Sequence, residues 1–344
     1  MTMESPEQKL IVEIPPLPKV RLSLPHRINC FIGLWFLKVI VRIVLFVERC
    51  LNPLPPAMRP TLVKRYACRP GLECRVFFPP DYKPGTRLPL YFNIHGGGLC
   101  FANATVDDRF CVSWAARTGM LVVSLNYRKA PLHPFPYAAH DIAALAHAVL
   151  ADDSLPLDPE RVAIGGFSAG AHLALSASQL PGLKGIVKAA VSYYPIVDFG
   201  HDPTYKLDTR PYRDGPRENL AGQVSWWLDW AYVSVGQNRR DPVLSPCYAR
   251  KQDLPPSIYM VGAQWDILRL EAQLMIHDLA GLESKENKEE SFETGHYKWT
   301  LAMDCAHGFT HKVGGDSARA TTNRLQSEAI YAEAHAWLKK SVLA

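Results

Sequence analysis

Two short runs in the 344-residue chain carry the residue types that acyl transfer needs. Gly166-Phe167-Ser168-Ala169-Gly170 follows the apolar run RVAIG and opens the helical pattern AHLALSASQ. It therefore reads as strand, sharp turn and helix, with small residues letting the backbone bend and crowd. That turn lifts Ser168 Oγ into a cleft at a helix N-terminus, where backbone N–H groups and the positive dipole end meet developing negative charge. His95-Gly96-Gly97-Gly98 directly follows the apolar run LPLYFNI, about 70 residues before the serine. From this composition such a run is expected roughly 0.003 times by chance. A glycine-rich loop offers rigid backbone donors with no side chains in the way, as an oxyanion requires.

A serine nucleophile needs a base, and the base needs a carboxylate to orient it. When such groups sit on a parallel sheet they follow the serine in the order Asp or Glu, then His, at the ends of the last strands. Asp266 lies just past SIYMVGAQ and His307 just past WTLAMD, at strand C-terminal ends where α/β sheets hold their ligands. The remaining histidines fall in helical runs, among prolines or in loops. His311 is one of these, outside a strand end. Of the competing carboxylates, Asp198, Asp241 and Asp253, the second heads an Asp-Pro turn and the third precedes a strand, so Asp266 is preferred. No Cys/His set has zinc spacing, and neither a metal nor an organic cofactor is required.

The elements that must position these groups are also legible. Apolar runs bounded by Pro or Gly recur as LECRVFFP, LPLYFNIH, MLVVSLNY, RVAIGGFS, IVKAAVSYYP, PSIYMVGA and YKWTLAMD, with helical patterns such as residues 138–150 and 169–179 between several of them. This alternation predicts an α/β fold with a mostly parallel sheet covered on both faces. Residues 198–240, rich in Trp, Tyr and Arg, break it and form a candidate cap insertion. Within it, Trp226, Trp227 and Trp230 are expected to roof an apolar pocket that takes a hydrophobic ester. ESKENKEE (283–290) reads as a solvated loop. Residues 61–344 are taken as the catalytic domain and 1–60 as an N-terminal cap or anchor segment.

Composition narrows the setting. Hydrophobic residues are 48% and charged residues 21%, which excludes a disordered or fibrous polymer. The net charge of +5 comes without a Lys/Arg block, which excludes a nucleic-acid arm. The eight cysteines form no CxxC and are read as free thiols. The first ten residues hold two glutamates and no basic n-region, so no signal peptide is expected and the chain is placed in the cytoplasm, not secreted.

Residues 30–47, CFIGLWFLKVIVRIVLFV, predict one long helix on which Lys38, Arg42 and Arg49 fall within 40° of one another at 100° per residue. Central charges disfavour a spanning helix. Two readings stay open: peripheral membrane association through residues 30–47, or a helix packed over the chain's own pocket. The second is preferred, with the basic stripe in water and the broad apolar face covered by protein.

These motifs resemble the hormone-sensitive-lipase-like branch of α/β-hydrolases, the family IV esterases and their fungal relatives. The resemblance runs from about residue 70 to 340 and rests on HGGG at 95–98, YRKAPLHPFPYAAHD at 127–141, GFSAG at 166–170, DPVLSP at 241–246, WDILR at 265–269 and HGF at 307–309. The second run is similar to the family's YRLAPExPFPAAxxD. The resemblance implies an α/β-hydrolase fold with an eight-stranded sheet and a helical cap. It further implies carboxylic ester hydrolysis with Ser168 as nucleophile, Asp266 as orienter, His307 as base and backbone donors at Gly97, Gly98 and Ala169. Leu99 stands where the family usually has Phe, which bears on the acyl pocket. The same machinery serves lactones, thioesters, formamides or acyl transfer in secondary metabolism. Plants use the fold as a hormone receptor lacking a competent triad, and the presence of His307 weighs against that reading.

Overall fold

The apolar runs become strands in a computed structural model of the chain, which describes residues 23–212, 219–282 and 291–343. In chain order the strands are β1 (Leu62–Arg65), β2 (Glu73–Phe77), β3 (Leu88–Ile94), β4 (Leu121–Leu125), β5 (Leu157–Phe167), β6 (Ala189–Tyr193), β7 (Ser257–Trp265), β8 (Ser291–Thr294) and β9 (Tyr297–Ala306). They form one sheet in the order β1-β2-β4-β3-β5-β6-β7-β9-β8. The six strands from β4 to β9 in that order pair in parallel. The pairings of β1 with β2, β2 with β4 and β8 with β9 are antiparallel.

Among the described residues the sheet thus has nine strands where the resemblance implied eight. The additional one is β8, a four-residue edge strand too short to show a period of two. It folds onto β9 through the two-residue turn Gly295-His296, with Gly295 at φ +55° as a tight hairpin demands. Glu293 and Lys298 face each other across that hairpin, 3.1 Å apart. The charged run 283–290 lies outside the described residues.

Alternate residues of the central strands feed two cores, one on each face. Leu90, Phe92, Ile94, Val162 and Ile164 pack with α3 (Tyr137–Leu150), α4 (Ala169–Ala177) and α7 (Arg269–Ala280). Tyr91, Ala163 and Phe167 pack with α2 (Asp108–Thr118) and α8 (Ala318–Leu338). Side chains of parallel strands covered by helices on both faces are apolar in both registers, which is why these runs read as continuous rather than alternating.

Two helices, α5 (Pro203–Asp208) and α6 (Asn219–Tyr232), lie between β6 and β7 and form the excursion from the sheet. The N-terminal helix α1 (Leu24–Leu51) packs against α6. A Cβ on Gly33 would come within 2.5 Å of the Trp227 ring, so the glycine lets the indole lie flush on the helix. Phe31 meets Trp230 edge to face at 6.5 Å.

The orientation of α1 reverses the expected one. Cys30, Leu34 and Lys38 are its buried residues, spaced i, i+4 and i+8 on one face. Lys38 is only 9% exposed and donates a 2.7 Å hydrogen bond to the Ala130 carbonyl. Of the stripe expected in water, Lys38 is therefore turned into the body of the protein, while Arg42 and Arg49 stay exposed along the rim of the cavity below. The residues that fall together on the opposite face, Ile32, Phe36, Val39, Ile43 and Val47, are exposed among the described residues. The helix does roof the pocket, with Lys38, Arg42 and Arg49 interleaved among Trp35, Val41 and Leu45. A lysine stem can lie along apolar surface while its ammonium bonds a carbonyl, so a basic stripe does not by itself mark the wet face.

Candidate active site

The elbow after β5 depends on two close approaches. A Cβ on Gly170 would fall 1.9 Å from the Ile94 carbonyl oxygen, and one on Gly166 2.2 Å from the same atom. Both positions therefore require glycine for α4 to sit against β3. Ser168 occupies the apex with φ +54°, a left-handed value held by its surroundings.

Ser168 Oγ lies 2.8 Å from His307 Nε2. On the far side of the ring, His307 Nδ1 lies 2.7 Å from Asp266 Oδ2. In the tautomer this network selects, the serine hydroxyl donates to Nε2 and Nδ1–H donates to the carboxylate. Asp266 is 1% exposed, and its other oxygen accepts the Leu268 N–H at 3.0 Å. The structure thus brings together the three groups expected from the end of β7, the turn after β9 and the elbow after β5.

Gly96 and Gly97 from the loop after β3 line the same cavity as Ser168. Gly97 and Gly98 have φ +114° and +56°, and a Cβ on Gly97 would lie 2.6 Å from the Phe101 carbonyl oxygen. The N–H groups of Gly97, Gly98 and Ala169 donate to no protein acceptor among the described residues. His95 holds the loop from behind: its ring stacks on Tyr127 at 4.5 Å, and Tyr127 OH donates to the His95 carbonyl at 3.2 Å. Burial, then the neighbouring charge of Lys129, lowers the His95 imidazole to about 3. His95 is thus a neutral brace rather than a base.

The cavity, about 1320 Å³, is lined by both sheet-end loops and the helices over them. From α6 the lining residues are Val224, Ser225, Leu228 and Asp229, and Leu228 sits where a Cβ on Gly98 would reach it at 2.5 Å. The expected roofing by Trp226, Trp227 and Trp230 is not found. Trp227 and Trp230 lie on the helix face turned to α1, and all three are outside the lining. Helical spacing puts 224, 225 and 228 on a different face from 227 and 230. Leu99 is likewise outside the cavity. It is 2% exposed, packs in the core, and accepts the Ala130 N–H through its carbonyl at 3.0 Å.

Several lining residues went unread in the sequence. A second imidazole–carboxylate pair, His311 Nε2 to Asp107 Oδ1 at 2.9 Å, stands in the same wall. Asp107 also accepts from Asn93 Nδ2 at 2.8 Å, and Thr310 links His311 to Tyr194. Tyr194 presents its ring to His307 at 5.0 Å, so this network steadies the turn that carries the triad histidine. Its sequence signal was slight: a histidine four residues after His307 in a loop.

With this geometry in place, similarity to known proteins becomes interpretable. The family described as alpha/beta hydrolase fold matches residues 91–297, more than half of the chain. The chain belongs to that family. Its hormone-sensitive-lipase-like character is supported by mouse neutral cholesterol ester hydrolase 1, which is 33% identical over 175 residues, covering 46% of this chain and 41% of that protein. Ethyl acetate hydrolase of Pseudomonas putida is 29% identical over 180 residues, covering 51% and 55%. The chain thus spans only about half the length of these curated relatives. An esterase of Pyrobaculum calidifontis superposes with a TM-score of 0.68 at 23% identity, over 94% of this chain and all of that one, and so shares the α/β-hydrolase fold.

Proposed function

We propose that this chain is a serine hydrolase that cleaves carboxylic esters of small, largely apolar molecules through an acyl-enzyme. One observation carries the reading. The Ser168–His307–Asp266 relay faces a cavity beside which the N–H groups of Gly97, Gly98 and Ala169 have no protein partner among the described residues. His307 takes the hydroxyl proton as Ser168 Oγ attacks the ester carbonyl, and the Gly97, Gly98 and Ala169 amides hold the oxyanion. The C–O bond then breaks and His307 protonates the departing alcohol. Water, deprotonated by His307, attacks the acyl carbonyl and releases the acid with Ser168 restored.

The cavity exceeds the usual range of ligand pockets, roughly 300–1,000 Å³, which favours a substrate larger than ethyl acetate. Lactones, thioesters and formamides present the same carbonyl to the same groups. The complete relay argues against a receptor without catalysis. Ser168→Ala should abolish hydrolysis of chromogenic esters and labelling by a fluorophosphonate, a loss on the order of 10⁶ in kcat. Residual turnover above about one part in a thousand would mean that another nucleophile operates.

We further propose that α1 lies in a membrane interface. It is the one described helix long and apolar enough to span a bilayer, with mean hydropathy 2.4 over an 18-residue window. Spanning would require it to leave α6, break the Lys38–Ala130 bond and carry Lys38 and Arg42 into hydrocarbon, at roughly 2.5–3.5 kcal/mol for each charge. Lying flat costs neither, because its apolar arc enters the lipid while the basic edge stays on the cavity.

A further inference from the structure

The roof of the catalytic cavity holds more positive charge than its lining carboxylates balance. Lys38, Arg42, Arg49, Arg109, Lys129 and Lys312 all line it, and none makes an ion pair among the described residues. Of the three acidic lining residues, Asp266 is bound to His307 and Asp229 to Arg239, which leaves Glu48 at the outer end of α1. Three of the cations are contiguous. Burial lowers the Lys129 ammonium; the charge of Asp141 opposes that shift, and the charge of Lys38 adds to it. Burial lowers Lys38 in turn, with Arg42 adding to it.

Their donors are unequally used. Lys129 is spent within the protein, on Asn126 Oδ1 at 2.9 Å, His95 Nε2 at 3.2 Å and the Tyr127 carbonyl. Lys38 gives one of its three N–H groups to the Ala130 carbonyl and lies 5.3 Å over the Trp35 ring, with no second hydrogen-bond acceptor, and Arg42 donates to nothing among the described residues. Two adjacent buried lysines that no carboxylate contacts directly among the described residues are costly to hold in the charged form unless an anion joins them. Asp141 supports the Lys129 charge from a distance, but its carboxylate is already held by Arg69 and Arg128, and no acidic side chain pairs with Lys38 or Arg42 among the described residues. The run YRKAPL contains this charge directly: Lys129 stands where the related motif has Leu, and Leu132, also lining the cavity, stands where it has Glu.

We propose that Lys38 and Arg42, backed by the field of Lys129, form an anion subsite in the roof of the active site, and that the ester substrate carries a carboxylate or phosphate group that docks there. The inference rests on the ester-cleavage reading above. It narrows the substrate to an apolar ester with one charged end. The subsite lies close to the oxyanion loop, because the carbonyl of Ala130 binds Lys38 while its N–H binds the Leu99 carbonyl beside Gly98.

Calorimetric titration of Ser168→Ala protein with monomethyl adipate and methyl hexanoate compares two esters that differ only in a terminal carboxylate for a methyl. The adipate ester should bind at least about tenfold tighter, the scale of one charge-assisted hydrogen bond. Arg42→Gln and Lys38→Met, each added to Ser168→Ala, should erase that preference and leave methyl hexanoate binding unchanged. Competition by pentyl phosphate against pentanoate then decides which anion is preferred. Arg42 is exposed, so Arg42→Gln remains informative if Lys38→Met loosens α1. Equal affinities for the two esters, or a preference that survives Arg42→Gln, would overturn the subsite. So would an Arg42→Gln variant that loses only its affinity for phosphatidylserine vesicles, since the cations would then serve the membrane. Failure of the catalytic reading has a separate signature, wild-type protein that leaves both esters intact.

Discussion

The outward arc of α1 lends itself to a quantitative test. Phe36 and Ile43 stand at its centre, 67% and 56% exposed. Fully burying such side chains stabilises by roughly 1.5–3 kcal/mol each, so burying their exposed fractions in lipid contributes about 3 kcal/mol together. The Phe36→Ser, Ile43→Ser double variant should therefore lower the vesicle partition coefficient on the order of 100-fold. Its thermal midpoint should stay close to wild type, because neither side chain packs within the protein. Flotation with phosphatidylcholine vesicles reads the first quantity and differential scanning fluorimetry the second. A wild-type chain that does not float, or a variant that floats equally well, would refute the interfacial role. A variant that floats less but melts well below wild type would show that the arc is covered by protein after all.

His307→Ala should lose as much kcat as Ser168→Ala, and the double variant little more, since members of a triad act as a unit; Asp266→Asn should lose less. Gly98→Ala should cut kcat/KM well below wild type, because its Cβ would need φ +56° and would lie 2.5 Å from Leu228 above the oxyanion loop. A near-wild-type rate there would mean that the loop does not act on the carbonyl. Lys129 is lowered by burial, and by the charge of Lys38, to about 7. The folded state thus binds fewer protons than the unfolded chain between about pH 7 and the ordinary lysine value near 10. The resulting penalty is full below pH 7 and lifts as pH rises. Lys129→Met should accordingly melt higher than wild type at pH 6, with the gap narrowing by pH 9.5, as thermal scans at the two pH values would record.

What the sequence disclosed and what it hid follow from the reach of each signal. Ser168, His95–Gly98, Asp266 and His307 were legible because each sits at a junction whose local chemistry is constrained. The elbow needs glycine against Ile94, the loop needs positive φ at Gly97 and Gly98, and the other two follow apolar strands. The facing of α1 was not legible, since an amphipathic helix offers two sides. The choice between them rests on Lys38 meeting the Ala130 carbonyl, 92 residues away. The three tryptophans misled for the same reason. Aromatic content marks a contact surface, but here the surface binds α1 through Gly33 rather than a ligand. The strand β8 was hidden by its length, and the Asp107–His311 pair by a sequence separation of 204 positions.

The most direct test of the central claim is to catch the acyl group on Ser168. Wild-type protein mixed with a p-nitrophenyl ester and quenched in acid within the first turnover should gain the mass of one acyl group. Peptide mapping should place that group on Ser168 within GFSAG, and Ser168→Ala should show no gain. An acyl group found on another residue, or turnover of the ester with no acylated species at any quench time, would contradict an acyl-enzyme built on this serine.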